Sequence, residues 1–310
     1  MNRMHSLVRA AFALACAASA SSCIGLDGFL FTGQHLDNYT LAYSAAFPTS
    51  FRVPESQRDA RMVTGADGTV TWIVFARQDA GRMASAPTII YSHGQSANLD
   101  RYWERISILW AQGANVVAYD YPGYGKTPGH TTEAGVYATA QAAIEFVQSL
   151  GSQIDQRRVY QYGFSMGTGP ATQMAAFGPV VHGLILEAPF TSINALVADG
   201  AIVAPRSFVL TASFDNLAKI VRAAQRTDLG VLIFHGTDDN YVQTKYGQQL
   251  DDALTAAETV GELEPMRHRL VLVDGADHGE IPCPAGDNPT CVPDAPTAAY
   301  YVRLNEFLAR

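Results

Sequence analysis

Little in this chain points toward nucleic acid, metal or a bilayer. Its 310 residues carry 21 Lys and Arg against 29 Asp and Glu. No basic stripe appears, so the electrostatic footprint of a nucleic-acid binder is missing. No apolar run approaches the ~20 residues that a membrane-spanning helix needs. Only 4 cysteines are present, and no Cys/His cluster has the spacing of a zinc site, so no metal ligand set is expected. Gly123-Tyr124-Gly125-Lys126-Thr127 lacks the spacing of a phosphate-binding G-x-x-x-x-G-K-[ST] loop. Internal repeats, linkers and low-complexity tracts are also missing. What the chain does have is apolar residues, 48% of the total, enough for one large core.

Residues 1–22 read as a signal peptide that takes no part in the fold. Arg3, His5 and Arg9 form a polar or positive start, and a small apolar stretch runs from Ala10 to Ala20. Ala18-Ser19-Ala20 fits ordinary secretory cleavage, whereas Ala20-Ser21-Ser22-Cys23 resembles a bacterial lipoprotein box with Ala20 where leucine is usual. Cys283 and Cys291 bracket a Pro/Gly/Asp/Asn-rich loop and are expected to pair, as an exported protein permits. That leaves Cys23 over, which favours its lipidation. The expected location is the bacterial cell envelope, with membrane attachment through Cys23, or otherwise periplasmic or secreted.

Residues 23–59 form a leader without clear periodicity that is expected to pack on the surface of a domain spanning 60–310. Ala60–Thr64 and Thr69–Ala76 are strand-like and joined by Gly65-Ala66-Asp67-Gly68, which has hairpin turn chemistry. From Thr88 onward, short apolar strands alternate with helical segments. That pattern predicts an α/β fold with a mostly parallel sheet of about eight strands, covered by helices on both faces. A short lid is expected at about 190–228. Its apolar residues, Leu196 and Val197 among them, suit either an acyl pocket or burial against the sheet. In such sheets ligands bind beyond the carboxyl ends of the strands.

One of those ends carries Gly163-Phe164-Ser165-Met166-Gly167, after a strand-like run and before a helical one. In that context G-x-S-x-G reads as a strained turn presenting Ser165 as a nucleophile, with glycines that let strand and helix approach closely. A serine hydroxyl needs a base to take its proton. Among 8 histidines, His278 stands at the end of the last strand, where the base belongs. His93 and His235 each precede a glycine at a strand end and are expected to bond to neighbouring backbone. The base in turn needs a carboxylate, for which Asp238, Asp239 and Glu187 are candidates. The backbone N–H groups of Met166 and Gln95 are the expected oxyanion donors.

Together these segments resemble the α/β-hydrolase superfamily, in particular its Bem46-like and serine-aminopeptidase-like (S33) branch. The resemblance rests on Tyr91–Gln95, Asp120–Lys126, Gly163–Gly167, Glu187–Ile193, Phe214–Leu217, His235–Asp239 and Gly275–His278. It implies a triad of Ser165, Asp239 and His278 and a chiefly structural role for the Asp120–Lys126 loop. It also implies a serine hydrolase of carboxylesterase or thioesterase type that needs no cofactor and takes a small-molecule or acyl substrate. The alternatives are an aminopeptidase-like serine peptidase and a non-catalytic lipoprotein that keeps the fold as a scaffold or binding module.

Overall fold

The computed structural model describes residues 30–200, 212–282 and 295–310. The expected signal segment, Cys23, Cys283 and Cys291 lie outside the described residues. Short strands buried along their whole length form the centre of an eight-stranded sheet. Its strands are β1 (Arg58–Thr64), β2 (Val70–Ala76), β3 (Thr88–Ser92), β4 (Asn115–Tyr119), β5 (Val159–Phe164), β6 (Gly183–Glu187), β7 (Val231–Gly236) and β8 (His268–Val273). They lie in the order β8-β7-β6-β5-β3-β4-β2-β1. Strands β3 to β8 are mutually parallel. The edge hairpin β1–β2 joins them through an antiparallel β2–β4 pairing.

The helices are α1 (Leu99–Ala111), α2 (Glu133–Ser149), α3 (Thr168–Phe177), α4 (Ile193–Ala198), α5 (Ile220–Arg226), α6 (Lys245–Thr259) and α7 (Ala295–Leu308). The Asn98 side chain caps α1 by accepting from the Asp100 amide, and Thr132 caps α2 by accepting from that of Gly135. Each cap satisfies a donor that the first helical turn leaves open.

Side chains alternate between two cores, as the pleat requires. On β4, Val117 and Tyr119 join the core under α2, α3, α5 and α6, while Val116 and Ala118 join the core under α1 and α7. Within the described part of the segment anticipated as a lid, α5 packs against α3 as part of the first core, while α4, Phe190 and Phe214 border the space beside Ser165.

The leader does more than cover the surface. Leu41, Phe47 and Val53 are buried in the same core as Trp103 of α1. Its irregular backbone is tied down by side chains of α1. The Asp100 carboxylate accepts from the amides of Thr40 and Leu41, and Glu104 accepts from that of Ser44. Such ties carry no sequence period, which is why no pattern shows in this stretch.

Candidate active site

Strand β5 runs into a sharp turn at Ser165, whose φ is +52°. That left-handed backbone costs an L-residue energy and persists only where the surroundings hold it. Two glycines permit it. A Cβ on Gly163 would come within 2.4 Å of the Gly167 carbonyl oxygen, and one on Gly167 within 2.0 Å of the Ser92 carbonyl oxygen. The turn thus projects the Ser165 hydroxyl above the carboxyl edge of the sheet, at the start of α3.

His278 follows β8 and meets Ser165 there. Its Nε2 lies 2.9 Å from Ser165 Oγ, and its Nδ1 lies 2.8 Å from Asp239 Oδ2. Asp239 sits in the turn after β7, where its Oδ1 accepts from the amides of Tyr241 (3.0 Å) and Val242 (2.8 Å). His235 Nε2 donates to the Val242 carbonyl at 2.7 Å and also lies 3.4 Å from Asp239 Oδ2. Burial alone would raise the pKa of Asp239, but the His235 and His278 imidazoles and the Val242 amide outweigh it and hold the carboxyl down to about 2. An ionised Asp239 can only accept, so His278 carries its proton on Nδ1 and offers the Nε2 lone pair to the Ser165 hydroxyl.

The other two carboxylates considered for this position are engaged elsewhere. Asp238 is exposed, and its Oδ1 accepts from Thr237 Oγ1. Glu187 is buried at the end of β6, paired with Arg105 of α1, and accepts from the Tyr162 hydroxyl at 2.5 Å. Burial in the first place, then the Glu187 charge, pushes Tyr162 well above the ordinary phenol range, so it remains a donor.

Three contributions went unread in the sequence. Arg105 reaches past Glu187 to donate to the Gly279 carbonyl at 2.9 Å, next to His278, and its guanidinium lies 3.9 Å from the centre of the Phe164 ring. Phe164 and Tyr241 flank the His278 imidazole at ring-centre distances of 5.3 and 5.1 Å. The third is His235, which supports Asp239 from behind. Phe164 lies inside the Gly163–Gly167 motif and Tyr241 just beyond His235–Asp239, but nothing local marks Arg105.

Gln95 follows β3, and its carbonyl accepts from Tyr124 Oη at 2.7 Å and Thr32 Oγ1 at 3.1 Å, which fixes the peptide. Among the described residues, neither the Gln95 nor the Met166 amide has a backbone acceptor outside the regular elements. Both residues border the space over Ser165. A cavity of about 400 Å³ opens on Ser165 and His278 and is edged by Gln95, Tyr102, Asp277 and Glu280. Among the described residues no group of three His, Cys, Asp or Glu is placed to hold a metal ion.

Comparison with known proteins agrees with this architecture. The family model described as serine aminopeptidase, S33, matches residues 84–212. The chain is 29% identical over 195 residues to the putative alpha/beta hydrolase L404 of Acanthamoeba polyphaga mimivirus, covering 62% of this chain and 67% of that protein. It is 30% identical over 196 residues to the uncharacterized protein Rv2307c of Mycobacterium tuberculosis, covering 63% and 64%. The match thus spans about two thirds of the length of these relatives. Among solved structures, the Pyrococcus furiosus esterase Pf2001 superposes with a TM-score of 0.61 at 17% identity, over 90% of this chain and 98% of that one. The sheet order and these likenesses define the fold as that of the α/β-hydrolase superfamily.

Proposed function

We propose that this chain is a serine hydrolase that cleaves carboxylic esters or thioesters through an acyl-Ser165 intermediate, with Ser165, His278 and Asp239 as its triad. The observation that carries the reading is the continuous hydrogen-bonded chain from Ser165 Oγ through His278 to Asp239, open to a cavity. His278 Nε2 takes the Ser165 proton as Oγ attacks the substrate carbonyl carbon. The resulting oxyanion is met by the amides of Gln95 and Met166, and each such donor contributes on the order of 10²–10³ in rate. His278 then gives the proton to the departing alkoxide or thiolate. It next takes a proton from the water that attacks the acyl carbonyl, and returns it to Ser165 Oγ as the acyl C–Oγ bond breaks and the acid leaves.

A peptidase reading draws on the S33 description of the matching family model. Its recognition of a free amine would fall to Asp277 or Glu280 at the cavity edge, because Glu187 is taken up by Arg105 and Tyr162. A non-catalytic scaffold would have no use for the assembled chain of hydrogen bonds. We also propose export and lipid attachment at Cys23, with a Cys283–Cys291 bridge, on the strength of the sequence pattern. The reading is tested by hydrolysis of p-nitrophenyl esters, acyl-thioesters and aminoacyl amides by wild type and Ser165→Ala. Turnover of esters or thioesters that Ser165→Ala abolishes is expected; turnover that survives the substitution contradicts the reading.

A further inference from the structure

The space around Ser165 divides into two parts of unequal size and chemistry. The cavity of about 400 Å³ includes His278, Gly279 and Glu280, and its edge mixes charged side chains with the rings of Tyr102, Phe164 and Tyr241. The second space also borders Ser165 and is a slot of only about 20 Å³. Its walls are apolar and include Met166, Phe190, Ile193, Leu196, Phe214 and Val242. His278 borders the first space and not the second.

That asymmetry fixes which part of a substrate goes where. The leaving group must receive its proton from His278 Nε2, so it lies on the His278 side, in the larger cavity. The carbonyl oxygen points at the amides of Gln95 and Met166, and the acyl substituent is directed away from His278 into the slot. The slot is far smaller than the cavity, so it takes only a short apolar chain. Its walls are supported on both sides. Phe190 and Phe214 are 1% and 0% exposed, and Phe214 packs edge-on against Phe31 and Tyr137. Ile193 and Leu196 are held by α4, whose N-terminus is capped by Ser192.

We infer that the substrates are short-acyl esters or thioesters, with the larger part of the molecule as the leaving group. This inference rests on the acyl-Ser165 reading and adds the acyl length and the side on which each half binds. The cost of a longer chain follows from overpacking, because each methylene beyond the slot must displace a buried side chain.

The test is the kcat/KM series for p-nitrophenyl acetate, butyrate and octanoate with the full chain. Acetate is expected to exceed octanoate by at least about tenfold, the low end of what one misfitting methylene is worth in a closed apolar pocket. Leu196→Ala removes part of the wall and is expected to raise the butyrate-to-acetate ratio by about tenfold. Should that variant fail to fold, the wild-type series still decides. Octanoate turned over as well as or better than acetate overturns the inference. Such an outcome with Ser165 still reactive toward a fluorophosphonate leaves the acyl-serine reading standing, whereas loss of that reactivity would sink both.

Discussion

Of the histidine–aspartate pairs at the carboxyl edge of the sheet, His278–Asp239 faces a cavity and His93–Asp120 is wholly buried. Beyond β7 and β8, His278 and Asp239 lie 2.8 Å apart. Beyond β3 and β4, His93 Nε2 and Asp120 Oδ1 lie 3.1 Å apart, at an angle that makes no hydrogen bond. The pairs differ in what each imidazole nitrogen faces. His278 gives Nδ1–H to its carboxylate and keeps Nε2 for Ser165. His93 gives Nδ1–H to the Gly94 carbonyl at 2.6 Å and turns Nε2 toward its carboxylate, with no nitrogen left for a substrate.

Burial separates them further. His93 and Asp120 are both 0% exposed, and the His93 ring packs 4.2 Å from that of Tyr121. Asp120 binds three parts of the chain together. It accepts from Tyr39 of the leader and from the Leu99 amide of α1, and Gly125 is confined beside it because a Cβ there would fall 2.0 Å from its Oδ2. The same two residue types are therefore sealed beside a loop at one site and meet a serine hydroxyl at the edge of a cavity at the other. What distinguishes them is a third group, Ser165, and an open face.

Paired substitutions break the comparison most sharply. Asp239→Asn should lower kcat by about 10⁴, because the imidazole loses the acceptor that fixes its tautomer. Asp120→Asn should leave kcat nearly unchanged and cost about 1–3 kcal/mol of stability, read by urea denaturation, as a buried carboxylate loses partners. Similar losses of kcat for both would mean that the two pairs do not differ in kind.

Glu187→Gln separates support from chemistry. It leaves the buried Arg105 guanidinium without its counter-charge, for which a loss of about 3–5 kcal/mol is expected. Denaturant midpoints measure this, while the folded fraction should still turn over ester. If instead the variant keeps wild-type stability and loses turnover, Glu187 and not Asp239 is the acid of the triad.

The smallest effect is in the pH dependence of stability. The Asp239 carboxyl is depressed to about 2 in the folded protein, against roughly 3.9 unfolded. A depressed carboxyl contributes stability that is fully present above its unfolded value and is lost as the pH falls through the folded one. Between about pH 4 and 2, wild type should therefore lose stability that Asp239→Asn does not lose. Parallel curves over that window would remove the electrostatic account of Asp239.

How much could be read in advance follows from how local each cause is. The turn at Ser165 was legible because its requirements, small residues at 163 and 167 between a strand and a helix, sit within five letters. His278 was legible by its place after the last strand. Asp239 was not separable from Asp238 and Glu187 by local chemistry. The structure separates them by what each carboxylate meets, the His278 imidazole in one case and Arg105 with Tyr162 in another. Arg105 was invisible because its partners, Glu187 and Gly279, are 82 and 174 residues away. The leader hid its role for the same reason, since Tyr39 meets Asp120 across 81 residues.

The central claim is that Ser165 is a nucleophile made reactive by His278. Its most direct test is covalent labelling of the folded, full-length protein with a fluorophosphonate, followed by peptide mass mapping. One adduct per chain, on the peptide containing Ser165 and missing in Ser165→Ala, is the expected result. A folded wild-type protein that takes up no label, or a label that persists in Ser165→Ala, would contradict it.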